Sequence, residues 1–347
     1  MDSKQLTKSF FLVIILVVCF LVSWEGYWRS QGYGITYNDD KNLWASTRKL
    51  ANGPVNKTTV FIGSSRIKFD LDIPTWEKQT ATKAVQLAIG GSSPLPSLEN
   101  LAEDEHFKGN LIVDVTEGLF FSLPGSSEEK WAQLSIDQFT KGTPAQKTSF
   151  VINKGLESKL VFLEESMFAL TPLLEDMQIQ NRPGVFTFPI FPKKFETNDL
   201  ARQSRIPKVF MLDTALQRIV KNIWIIFRMT DTTYKMRSDT IQMILARVKK
   251  ATDKISARGG RILFVRTPSS GDVWKAEEYV FKRSEYWDKL LAYTGLPGIH
   301  FNDYPSINNF MCPEWSHLSQ RDAVKFTKGF IDIFERSGWS HFNKAAL

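Results

Sequence analysis

Cysteine is nearly missing from this chain of 347 residues: Cys19 lies in an apolar run and Cys312 stands far from it. Two isolated thiols can build neither a disulfide scaffold nor a structural zinc site, both of which need clustered ligands. Histidine is scarce as well. His106, His300, His317 and His341 share no HxxxH or HxH spacing, so the residues offer no metal site and any acid–base histidine comes from a short list. Internal repeats and low-complexity tracts are lacking, and only one long hydrophobic run occurs. With 43% hydrophobic and 23% charged residues, the composition excludes a polytopic membrane protein and a disordered chain alike. A large globular body remains, with room for about two domains or for one domain carrying an insertion.

The hydrophobic run is N-terminal. Lys4 and Lys8 precede an uncharged stretch from Ser9 to Trp24, and Tyr27 and Trp28 follow it. Sixteen helical residues span about 24 Å, slightly short of a bilayer core, and snorkelling of Lys8 together with interfacial aromatics supplies the rest. A cleaved signal peptide would need a small-x-small site, which this segment lacks, so an uncleaved anchor is expected. The two lysines place the N-terminus in the cytoplasm and the remainder outside it.

Apolar, β-branched runs bounded by turn formers predict strands at 60–64, 84–89, 110–116, 261–266 and 298–302, and 3.6-residue periodicity predicts helices at 97–107, 240–258, 274–293 and 320–337. Strands alternating with helices call for an α/β fold: a flavodoxin-like parallel sheet with helices on both faces, whose ligands bind beyond the carboxyl ends of the strands. About 120 residues after the third strand break this rhythm and read as a large, mostly helical insertion. It holds helical patterns at 156–174 and 209–229 and a Phe-rich stretch at 184–192. The expected division is a cytoplasmic tail at 1–8, the transmembrane anchor at 9–28, a juxtamembrane segment at 29–58, the sheet domain at 59–118 and 239–347, and the insertion at 119–238. From Lys193 to Arg237 there are ten Lys or Arg against four Asp or Glu, so the net charge of +7 is local. A packed helix with a solvated basic face accounts for this better than a helix lying on an anionic membrane.

Gly63-Ser64-Ser65-Arg66 directly follows a predicted strand, a geometry that exposes the Ser65 hydroxyl. A serine becomes nucleophilic only when an oriented base takes its proton. Glu314 and His317, three residues apart just before the last helix, can supply that base and its partner.

These blocks resemble the SGNH (GDSL-like) hydrolase superfamily, in particular membrane-anchored bacterial members carrying Gly-Ser-Ser-Arg. Gly63-Ser64-Ser65 is similar to the first block, Ala88-Ile89-Gly90-Gly91-Ser92 to the second, Asp114-Val-Thr-Glu117-Gly118 occupies the place of the third, and Glu314-Trp-Ser-His317 is similar to the last. The resemblance implies Ser65 as nucleophile, His317 as acid–base, Glu314 as its orienting partner, and Gly91 as a backbone oxyanion donor, with Arg66 and Glu117 beside the substrate. It implies no cofactor and no metal. It points to an esterase or O-acyltransferase acting on a periplasmic cell-envelope polysaccharide, anchored by a single pass in the bacterial inner membrane and possessing no nucleic-acid partner. Three departures stand out: Ser64 replaces Asp, Glu314 replaces Asp, and Glu117 replaces an Asn whose amide would donate to the oxyanion. A carboxylate there only accepts hydrogen bonds. That substitution, with 26 Phe and 10 Trp available for sugar or partner contact, also supports a different class: a non-catalytic glycan-binding protein or partner of a polytopic membrane acyltransferase.

Overall fold

Along each central strand successive side chains face opposite ways, and both sets are apolar. Val60, Ile62, Leu111, Val113, Ile262 and Phe264 join one core cluster, whereas Phe61, Ile112, Leu263 and Val265 join another. Such strands need cover on both faces. The structure, a computed structural model, describes residues 3–175, 190–231 and 236–337. Its strands are β1 (Thr58–Ile62), β2 (Lys83–Gln86), β3 (Asn110–Asp114), β4 (Thr197–Asn198), β5 (Ser204–Arg205), β6 (Arg261–Arg266) and β7 (Gly298–His300). Five of them form a parallel sheet in the order β2-β1-β3-β6-β7, and β4 and β5 pair as a short antiparallel ribbon.

Helices Leu95–Glu103 and Ser238–Ala257 cover one face through Leu98, Leu101, Ile244 and Val248. Helices Ile73–Thr80 and Gln320–Arg336 cover the other through Trp76, Phe326 and Phe330. Because β1 lies between β2 and β3, the chain reverses its direction across the sheet there. In sheets of this order the crevice at the reversal, beyond the carboxyl ends, is where ligands bind.

The described residues divide into two compact units, residues 3–38 with 144–175, and residues 39–143 with 190–231 and 236–337. The expected insertion is therefore shared between them. In the first unit the helix Ser3–Ser30 has 28 residues and a mean hydropathy of 2.5 over its best 18-residue window. It is long and apolar enough to cross a membrane.

Three expected helices differ. The pattern at 156–174 is not one helix: a helix runs over Pro144–Glu157, and Val161–Leu163, Glu165–Phe168 and Leu170–Glu175 are separate turns. Side chains take the backbone donors instead. The Glu25 carboxylate accepts the Val161 N–H at 2.9 and 3.0 Å, and Asn38 Oδ1 accepts the Glu165 N–H at 2.6 Å. The pattern at 209–229 breaks into Lys208–Leu212 and Thr214–Asp231, because Asp213 Oδ1 accepts the N–H groups of Ala215 and Leu216 as an N-cap. The pattern at 274–293 splits into Gly271–Val280 and Trp287–Thr294. Between them Phe281 and Tyr286 pack edge to face at 5.3 Å and turn Tyr286 and Trp287 into the core. Of the Phe-rich stretch, 184–189 lie outside the described residues.

Candidate active site

The carboxyl end of β1 presents Ser65. After Ile62 the chain must pass Asp114 closely: a Cβ at Gly63 would lie 2.5 Å from Asp114 Cβ and 2.8 Å from Ile67 Cγ2. Glycine is required there for space, and the helix Ser65–Asp70 begins two residues later. Ser64 is buried, its hydroxyl donating to Thr116 Oγ1 at 2.9 Å, which donates to Asp114 Oδ2 at 3.0 Å. These bonds hold the turn to the end of β3.

Ser65 Oγ lies 2.8 Å from His317 Nε2, and His317 Nδ1 lies 3.0 Å from Glu314 Oε1. With Nδ1–H donated to the carboxylate, Nε2 is the acceptor for the serine proton. Glu314 is completely buried and amply bonded: Oε1 also accepts the His317 N–H at 2.6 Å, and Oε2 accepts the Ser316 N–H at 3.3 Å and the indole N–H of Trp224. Phe69 packs over the imidazole at 4.4 Å between ring centres, and Phe195 and Trp224 flank it at 5.8 and 5.9 Å. A wall of this kind shields the relay from water and strengthens its electrostatics. The loop is strained as well. Trp315 takes a left-handed φ of 79°, and a Cβ at Gly271 would meet its indole at 2.3 Å.

Gly91 is exposed and has a left-handed φ of 65°, and its neighbour Gly90 faces Ser65, since a Cβ there would lie 3.8 Å from Ser65 Cβ. Arg202 pins this loop from below, its Nη1 donating to the Gln86 carbonyl at 2.7 Å and its Nη2 to the Ala88 carbonyl at 3.0 Å, while Asp39 accepts from Nε and Nη2. The basic excess around Arg202 is thus partly internal, and Arg205 pairs with Asp199 at 2.6 Å.

Arg66 and Glu117 serve a buried ionic network. Both Glu117 oxygens lie 2.9 Å from Arg266 Nε, Arg266 Nη2 donates to Glu277 Oε2 at 2.6 Å, and Arg66 Nη2 donates to Glu277 Oε1. Burial alone would raise the Glu277 carboxyl, but Arg66 and Arg266 hold it down at about 2. Burial raises Glu117 above the usual carboxylate range, against the opposing pull of Arg266. Neither side chain hydrogen-bonds Ser65 or His317. Nor do Arg66 and Glu117 pair with each other: Arg266 and Glu277 stand between them.

The other described histidines, His106 and His300, lie elsewhere, and His341 is outside the described residues. His106 is exposed beside Asp104, and His300 packs against Trp274 and Trp287. Cys312 is buried, and burial with the nearby charges of Asp70 and Glu314 pushes its thiol well up, opposite to what a nucleophile needs. Among the described residues no three His, Cys, Asp or Glu side chains cluster as a metal site would. Sequence reasoning missed Trp224, Arg202, Arg266 and Glu277. Of these, Arg266 alone carried a local signal, a charge closing an apolar strand. No family model matches this chain, and no curated protein is significantly similar to it.

Proposed function

We propose that this protein is an SGNH-like serine esterase or O-acyltransferase, anchored by its N-terminal helix in the bacterial inner membrane with its sheet body on the periplasmic side. Its substrate is an acyl ester of a cell-envelope glycan, and a polytopic membrane acyltransferase is a fitting source of acyl groups. The observation that carries this reading is the continuous hydrogen-bonded series Ser65 Oγ, His317 Nε2, His317 Nδ1, Glu314 Oε1 at the carboxyl ends of the strands. A serine, a histidine and a buried carboxylate in this order suffice for acyl transfer.

In the proposed reaction Ser65 Oγ attacks the acyl carbon as His317 Nε2 takes its proton, and Glu314 stabilises the resulting imidazolium. Backbone N–H groups of Ser65 and Gly91 receive the oxyanion, the former being a first-turn donor with no intrahelical acceptor. Collapse breaks the ester C–O bond, and His317 returns the proton to the departing alcohol. Water or a sugar hydroxyl then attacks the acyl-serine, giving up its proton to His317, and releases either an acid or a new ester.

The non-catalytic glycan-binding reading keeps one supporting observation: Glu117, clamped by Arg266, offers no side-chain donor to an oxyanion. Loss of one donor costs about 10²- to 10³-fold in rate, which slows such an enzyme without abolishing it. Hydrolysis of p-nitrophenyl acetate by the full chain in detergent tests the choice. Turnover that disappears in Ser65→Ala supports the esterase, and equal rates in both proteins would leave the binding reading.

A further inference from the structure

In the unit formed by residues 3–38 and 144–175, the helix Pro144–Glu157 buries none of its residues among those described. Its sequence is nonetheless amphipathic. At 3.6 residues per turn Ala145, Val151, Ile152 and Leu156 fall within one arc about 140° wide, Lys147 flanks that arc beside Val151, and Gln146, Asn153 and Lys154 lie on the other side together with the half-buried Phe150. Val151 and Ile152 are 67% and 57% exposed, and Leu170 in the turn beyond is 71% exposed. Exposed apolar side chains along one arc mark a surface that meets something apolar.

The same unit says what that is. Glu25, the first charge after the uncharged stretch, caps the N–H groups of Val161 and Phe162, and Arg29 Nη2 donates to the Lys159 carbonyl at 3.0 Å. Trp28 packs on Phe168 at 4.6 Å. Residues 159–168 are thereby tied to the level at which the N-terminal helix leaves the apolar layer. Leu173 reaches further: with Phe20, Ser23, Trp24, Tyr27 and Trp28 it lines an open groove of about 540 Å³. Phe20 lies a full turn inside the uncharged stretch, so a bilayer that receives Phe20 receives Leu173 as well.

We propose that residues 144–175 form a collar around the base of the anchor that lies in the lipid headgroup and acyl boundary, with the apolar arc of Pro144–Glu157 and Leu170 turned into the bilayer. The partner is the lipid surface itself. An interfacial helix sinks its apolar face about 5–10 Å into this boundary, and Lys147 and Lys154 then face phosphates and water. The inference rests on the membrane-anchor part of the reading above and is independent of the esterase chemistry.

Spin-label accessibility in proteoliposomes tests it on the full chain, using Cys19→Ala so that the buried Cys312 is the one remaining native cysteine. Labels are placed singly at Val151, Ile152, Leu156 and Leu170, at Gln146 and Asn153 on the polar side, and at Leu16 in the anchor. The expected ratio of oxygen to nickel-chelate collisions is several-fold higher at the four apolar positions than at Gln146 and Asn153, with Leu16 highest. Equal ratios on both arcs with Leu16 in lipid would overturn the collar while leaving the anchor. Low access of both reagents to the four positions would also overturn it, in favour of a covering protein surface. A Leu16 label reached freely by the nickel chelate would remove anchor and collar together.

Discussion

Replacing Trp224 by Phe removes a single N–H from the site and little else. The indole of Trp224 donates to Glu314 Oε2, while its ring packs on Phe191 at 5.1 Å, a contact that a phenyl ring largely keeps. Glu314 is fully buried, so each donor lost is not replaced by water. Hydrogen bonds to charged groups are worth about 1.5–3 kcal/mol, and the loss leaves Oε2 with the Ser316 N–H at 3.3 Å alone. If half or more of that appears in transition-state stabilisation, kcat/KM for a p-nitrophenyl ester falls about 4- to 160-fold. The same lost bond should lower folding stability by up to about 3 kcal/mol, so both proteins are assayed well below their melting temperatures, where they remain folded. A folded Trp224→Phe protein with wild-type kcat/KM would refute the idea that this segment orients the relay.

Arg266→Gln should destabilise the fold by about 3–5 kcal/mol, since it strands Glu117 without its partner, and Glu117→Gln/Arg266→Gln should cost less than the two single changes added together; strictly additive values in urea denaturation would show that the pair is not coupled. Gly63→Ala places a Cβ 2.5 Å from Asp114 Cβ and should cost about 1–3 kcal/mol, whereas an unchanged melting temperature would contradict the close approach of β1 to β3. His300 is kept neutral, its pKa pushed down to about 3 by burial and then by Arg266 and Arg283. The unfolded chain takes up this proton near pH 6.5 and the folded chain only near 3, so stability falls as pH drops through that window, by up to about 1.4 kcal/mol per pH unit. His300→Gln should flatten the slope between pH 6.5 and 5, and identical slopes would count against a neutral buried imidazole.

The parallel sheet was readable because its strands are runs such as Val60-Phe-Ile and Leu111-Ile-Val, whose continuous apolarity admits few other structures in water. Their order in the sheet was not. The break at Asp213 was written locally, in N-cap chemistry, and periodicity alone overran it, whereas the helix opened by Pro144 lies almost wholly before the expected span of 156–174. The breaks after 157 were invisible because Glu25 and Asn38, more than a hundred residues earlier, take the backbone donors. Within the site, Ser65, Glu314 and His317 could be singled out from short local blocks, whereas the indole on Glu314 comes from 90 residues away and leaves no pattern. The same holds for Arg66 and Glu117. The resemblance set them beside the substrate, and the ionic network they join leaves no local pattern because β6 and the Gly271–Val280 helix bring Arg266 and Glu277 from far along the chain.

Acyl transfer at this site depends on activation of the Ser65 hydroxyl by His317. Mass spectrometry after exposure of the full chain to a fluorophosphonate probe reads this at one atom. A phosphonyl adduct is expected on the peptide containing Ser65 in wild type, a much slower one in His317→Ala, and none in Ser65→Ala. An unmodified Ser65 in the folded wild-type protein, or labelling at the same rate in His317→Ala, would contradict that activation.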